Sequence, residues 1–170
     1  MKKILLQAAS FFFFTFPVLF LASCHPADPY KNWEVVNGNS NGNKYSSLNQ
    51  IDTANVQQLQ VAWTYHTGGV DTAASSQIQC NPIVVNGTMY VISPQLKLIA
   101  LDAATGKQIW TYTPFDSISV NKRMFFVLNN CRGVAWWSDH KGDDRIIYTA
   151  GPFMRAINAK TGKLIDSFGN

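Results

Sequence analysis

The sequence predicts an all-β fold of propeller type, assembled from repeated units of about four short strands. Two observations carry this. Short runs of β-branched and aromatic residues recur at regular spacing, each bounded by turn residues. One motif is also written twice: Ala100, Thr105, Gly106, Lys107 and Ile109 reappear as Ala156, Thr161, Gly162, Lys163 and Ile165 at a constant offset of 56. Tyr90 and Pro94 match Tyr148 and Pro152 at an offset of 58, so the copies extend over two strands. A repeat of this length is the signature of a blade that needs neighbours to bury its faces.

The elements follow in order. Residues 33–49 are rich in Asn, Gly and Ser and predict turns and irregular loops. Ile51 to Leu59 predicts one short helical turn capped by Asp52 or Thr53. Val61 to Tyr65 reads as a strand ending at Gly68-Gly69. Ile83 to Val85 and Met89 to Ile92 flank Asn86-Gly87, the strongest short-range hairpin signal. Strands are expected at Lys97 to Leu101 and Ile109 to Tyr112, then at Gly133 to Trp137, Arg145 to Thr149 and Met154 to Ile157.

The repeat itself has a mechanical meaning. Asp102 can accept backbone N–H groups across the Thr-Gly turn, and Gly106 supplies a backbone conformation that other residues resist. Ala100 is small where blades approach closely, and Trp110 buries a large ring between blades while its N–H finds a partner. The second copy has Asn158 for Asp102 and Asp166 for Trp110, which predicts a weaker clasp.

Composition narrows the class. The 170 residues are 46% hydrophobic and 13% aromatic, far from a disordered chain. Charged residues make up 14%, below the roughly 25% of ordinary soluble domains. The formal net charge is +4, and no Lys/Arg cluster follows the N-terminus, so nucleic acid is not an expected partner. His25, His66 and His140 have no metal-ligand spacing, and no G-x-S-x-G or phosphate loop occurs.

The N-terminus carries a targeting signal. Lys2 and Lys3 precede an apolar run over residues 4–21, which ends in Leu21-Ala22-Ser23-Cys24. These residues resemble a bacterial lipobox. That resemblance implies a signal peptide over 1–23, lipidation of Cys24, a tether over 24–32 and an exported, lipid-anchored chain. The same run approaches the ~20 residues that span a bilayer, so an uncleaved membrane anchor is the alternative. Of the remaining cysteines, Cys80 and Cys131 either pair, as an oxidising compartment permits, or stay buried thiols.

The motif A-x-D-x-x-T-G-x-x-x-W, Ala100 to Trp110, resembles the tryptophan-docking motif of PQQ-dependent (quinoprotein) dehydrogenases. NGNSNGNKYSSLNQI, NVQQLQVAWTYHTG, QCNPIVVNGTMYV, NNCRGVAWW and AINAKTGKLIDSFGN are similar to successive stretches of the same family, in order, over residues 33–170. The resemblance implies the first two to three blades of an eight-bladed propeller. It further implies PQQ and Ca²⁺ as cofactors, a sugar or alcohol substrate, and a membrane quinone or cytochrome as electron acceptor. Arg132, in the family's Arg-Gly pair, is expected to grip a carboxylate of the quinone through its planar fork. Thr149 matches a threonine that contacts the quinone. Gln79 stands where many members have Glu and is expected to hydrogen-bond the cofactor without a charge, and Cys131 is a further expected cofactor contact, though it lacks the adjacent cysteine partner of the methanol-oxidising branch. Cys80 and Cys131 each flank a position aimed at the cofactor, which suggests a Cys80–Cys131 bond. The family's calcium ligands and catalytic Asp base are expected beyond Asn170, so the chain reads as an N-terminal portion with no catalytic residue of its own. A non-catalytic propeller lipoprotein scaffolding outer-membrane assembly is the competing function.

Overall fold

A computed structural model of the chain describes residues 28, 30–69, 77–115 and 131–169. Cys24 and the whole targeting segment lie outside the described residues. Among the described residues no helix is long and apolar enough to cross a membrane.

Two antiparallel sheets form the described part. The first has four strands in sequence order: β1 (Ile83–Val85), β2 (Thr88–Ile92), β3 (Leu98–Asp102) and β4 (Gln108–Tyr112). The second has three: β5 (Ala135–Ser138), β6 (Asp144–Ala150) and β7 (Phe153–Asn158). Asn86 and Gly87, with φ of 50° and 77°, turn β1 into β2 as the Asn-Gly pair predicts. Tyr90 pairs with Ala100 and Ala100 with Trp110; in the second sheet Ala156 pairs with Ile147.

The expected helical turn is a single 3₁₀ turn, Val56–Gln58. Neither Asp52 nor Thr53 caps it: the N-cap is Asn55, with no side-chain capping bond, and Asp52 Oδ1 instead closes the preceding turn by accepting from the N–H groups of Ala54 (2.8 Å) and Asn55 (3.1 Å). The strand expected at Val61 to Tyr65 is not one. Trp63 and Tyr65 alternate in burial with exposed neighbours, yet the backbone has no ladder partner among the described residues. Their side chains are used instead: Trp63 Nε1 donates to the Ala103 carbonyl at 3.2 Å and Tyr65 hydrogen-bonds to Gln108.

The core lies between the sheets. Ile83, Ile92, Leu98 and Ala100 of the first meet Ile146, Tyr148, Ala150 and Ile157 of the second. The equivalent tyrosines cross the interface in opposite directions. Tyr90 donates to the Ala159 carbonyl at 3.4 Å, and Tyr148 to the Leu96 carbonyl at 3.3 Å.

The repeated motif is a docking turn. Asp102 Oδ1 accepts from the Thr105 N–H (2.8 Å) and hydroxyl (2.7 Å), and the Gly106 N–H closes on the Asp102 carbonyl at 2.8 Å. Asn158 makes the same bonds to Thr161, both at 2.9 Å, and the Gly162 N–H reaches its carbonyl at 2.9 Å. The weakening expected from Asn158 is therefore absent at the turn, because one amide oxygen supplies both acceptor bonds. The outgoing strand is reduced: after Gly162 only the Ile157–Leu164 bridge remains.

Each turn receives the tryptophan of the preceding repeat. Trp63 lies on Gly106, and Trp110 lies on Gly162 while its Nε1 donates to the Ala159 carbonyl at 2.9 Å. Both glycines have φ near +70° and sit under a ring face, so conformation and space each require glycine.

Candidate cofactor cleft

The segments that enter the two sheets touch just before β1 and β5. Asn81 and Gly133 form a parallel bridge, and the Asn81 N–H donates to the Arg132 carbonyl at 3.0 Å. The Asn81 side-chain amide donates to the same carbonyl at 3.2 Å. Two donors on one carbonyl hold Arg132 by its backbone and leave its side chain outward. The approach at Gly133 is close: a Cβ there would lie 3.3 Å from Val36 Cγ2 and 3.5 Å from the Asn81 carbonyl.

This crossing opens into a cleft of about 520 Å³. Its volume falls within the ~300–1,000 Å³ of small-molecule sites. Of the four residues expected to bind the cofactor, Arg132 and Thr149 line it. Asn81 adds an amide, and Val36, Ile147 and Met154 give apolar walls. Thr149 reaches the cleft from β6 and pairs across the ladder with Met154 of β7. Among the described residues Arg132 is exposed, has no side-chain partner, and is the one charged residue lining the cleft.

The other predicted residues stand behind or beside the wall. Cys131 is buried, with its Sγ 3.1 Å from the Gly133 carbonyl, and the Thr149 hydroxyl lies 3.8 Å from that sulfur. Gln79 is half-buried and does not line the cleft. Cys80 and Cys131 are both free thiols, so the suggested bond is not formed in this structure. Burial pushes the Cys80 thiol up to about 11, which keeps it protonated at neutral pH. Burial also raises the Tyr148 phenol well above its ordinary value, so its hydroxyl is a structural donor to Leu96 and not a proton carrier for the cleft.

The residue set suits a flat, carboxylate-bearing ligand. The Arg132 guanidinium offers two parallel N–H donors, a hydroxyl and an amide add orientation, and the apolar walls accept a ring face. Among the described residues no group of three or more His, Cys, Asp or Glu is placed to hold a metal ion. Sequence reasoning missed Asn81, Val36 and Met154. Asn81 lies in the QCNP stretch, but its partner is 51 residues away, and no local pattern announces a parallel bridge.

Residues 33–170 match the family described as PQQ: glucose/ethanol/alcohol dehydrogenase, β-propeller domain. The quinoprotein glucose dehydrogenase of Escherichia coli (strain K12) is 32% identical over 155 residues, covering 82% of this chain and 19% of that protein. The alcohol dehydrogenase (quinone) dehydrogenase subunit of Gluconobacter oxydans (strain 621H) is 34% identical, covering 83% and 17% respectively. Among solved structures, the quinohemoprotein alcohol dehydrogenase of Comamonas testosteroni superposes with a TM-score of 0.62 at 32% identity, over 82% of this chain and 19% of that one. The chain thus spans about a fifth of the length of the relatives it matches.

Proposed function

The chain belongs to the PQQ-dependent glucose/ethanol/alcohol dehydrogenase β-propeller family, and from this premise we propose that its cleft takes the quinone cofactor of an exported, membrane-associated dehydrogenase. The observation that carries the reading is the convergence of Arg132 and Thr149 on one cleft. In this reading the substrate is a sugar or alcohol and the electrons leave to a membrane quinone or cytochrome. Lipidation at Cys24 holds the enzyme beside that acceptor.

PQQ, when bound, supplies a two-electron acceptor for the hydrogen of a CH–OH group. The chain's own residues do the holding. Arg132 binds a carboxylate through its fork, and Asn81 fixes the backbone that aims it. The Thr149 hydroxyl, backed by Cys131, orients the ligand's polar edge. Val36, Ile147 and Met154 would offer the ring an apolar wall. Ca²⁺ belongs to the whole enzyme in this reading, and among the described residues no group of three or more His, Cys, Asp or Glu is placed to hold it.

The test is retention of PQQ by the protein expressed from its own gene, measured by equilibrium dialysis alongside PQQ-dependent dye reduction with glucose and ethanol. Replacing Arg132 by Ala removes a charge-assisted bond worth ~1.5–3 kcal/mol and should weaken PQQ binding about 10- to 100-fold. Equal retention by the wild type and R132A would overturn the assignment.

A further inference from the structure

Cys80 and Cys131 are not needed to line the cleft, yet the fold brings them together at its base. Cys80 directly precedes Asn81, and Cys131 stands two residues before Gly133, the partner of Asn81 in the parallel bridge. In the register of that bridge Cys131 lies one residue from the position opposite Cys80, so the two backbones are immediate neighbours at the crossing. A disulfide spans ~4.4–6.8 Å between Cα atoms. The side chains also turn the same way. Asn81 and Arg132 are exposed, whereas Cys131 is buried in the core between the sheets and Cys80 packs against that same core.

We propose that Cys80 and Cys131 form a dithiol site that closes to a disulfide, stapling the segment before β1 to the segment before β5. The bond would join the two sheets where their backbones already touch. It goes beyond the cofactor reading and does not depend on what occupies the cleft.

The chemistry balances with a low-molecular-weight disulfide such as oxidised glutathione as the oxidant. Half-buried Cys80 meets it first: its thiolate attacks one glutathione sulfur, and a glutathione thiolate leaves. The Cys131 thiolate then attacks the Cys80 sulfur of the mixed disulfide and expels the second glutathione. Two protons and two electrons pass from the protein thiols to two glutathione thiols. Cys131 gives up its S–H donor to the Gly133 carbonyl, so the change is registered beside Thr149 at the cleft wall. Burial of Cys80 slows the first attack at neutral pH without altering where the equilibrium lies.

The full chain, equilibrated in glutathione buffers, alkylated and digested with trypsin without reductant, tests this. The linked product joins peptide 45–97, which holds Cys80, to peptide 124–132, which holds Cys131, while Cys24 falls in a different peptide. The expected result is this link as the main oxidised product, with an equilibrium constant at least ~10-fold higher in buffer than in strong denaturant. The disulfide form should also melt at least about 5 °C higher than the reduced form. A link equally favoured in denaturant, or stable glutathionylation of Cys80 in its place, overturns the proposal. So does a bond from Cys131 to Cys24. C131S should stop at the Cys80 mixed disulfide; were it to form the same quantity of intramolecular product, the assignment would fail.

Discussion

Substituting Gly162 by Ala tests the docking turn at its tightest point. The residue has φ +71°, and a Cβ would lie 2.7 Å from Trp110 Cδ2, 2.8 Å from Cε3 and 2.9 Å from Cγ. The left-handed backbone alone costs a non-glycine residue ~1–2 kcal/mol. The collision adds to it, because contacts under 3 Å force the indole off the turn. Overpacking of this kind costs ~1–3 kcal/mol, and losing the 2.9 Å bond from Trp110 Nε1 to Ala159 is worth ~1 kcal/mol within that range. G162A should therefore destabilise by about 2–5 kcal/mol. Gly87 provides the control: its φ is +77°, but nothing lies within 4 Å of its added Cβ, so G87A carries only the backbone cost. Urea midpoints at constant m, followed by tryptophan emission, separate the two. In a Trp110→Ala background the excess cost of G162A should vanish, giving a coupling of at least ~1 kcal/mol. If G162A costs no more than G87A, the ring is not docked on the turn and the reasoning fails. Gly106, with Trp63 carbons 2.5 Å from its added Cβ, should behave in the same way.

Other expectations follow from the same contacts. Burial pushes the Tyr90 phenol up to about 12 and Tyr148 higher still, against ~10 in an unfolded chain. The folded state holds those protons longer, so this contribution is complete below pH ~10 and is lost as pH rises toward 12 and beyond. Alkaline absorbance titration of the folded chain should show Tyr90 and Tyr148 still protonated well above pH ~10; a folded chain with no phenol protonated there would contradict their burial. Asp102 is held below the usual carboxylate range by the Thr105 hydroxyl and N–H. Its contribution is present above pH ~4 and lost as pH falls through its folded value. Asn158 makes the same bonds without a charge, so D102N should fold at pH 7 and flatten the acid limb of a stability–pH curve. An unchanged acid limb would place that dependence elsewhere.

Much of the fold was legible because its signals are local and repeated. Asn86-Gly87 fixed a hairpin, and the paired Thr-Gly turns fixed where β3 and β7 end. Val61 to Tyr65 misled because alternating aromatic residues mark any extended segment with one buried side, whether or not its backbone finds a ladder. The Asn158 turn misled for a chemical reason: loss of charge looked like loss of function, but the turn uses an acceptor oxygen, which Asn retains. At the cleft, Arg132 and Thr149 were found through family resemblance, not through physics. Nothing local distinguishes an arginine that faces a ligand from one that faces solvent. Asn81 could be found only once the bridge to Gly133 was known.

The two kinds of contact explain why the cleft lies between the copies of the repeat. Trp110 and Tyr90 both donate to the Ala159 carbonyl, fixing the end of β7 against the first sheet. Asn81 fixes the start of β5 against the same sheet through the Arg132 carbonyl. Tyr148 fixes the strand between them, one residue from Thr149. Thr149 therefore belongs to a sheet held against its neighbour by these contacts, and Arg132 to the entering segment that Asn81 pins to it. A docking turn has no chemistry of its own, yet it determines where the chemistry can be. Loosening Trp110 from Gly162 should then weaken ligand binding at a cleft that neither residue touches.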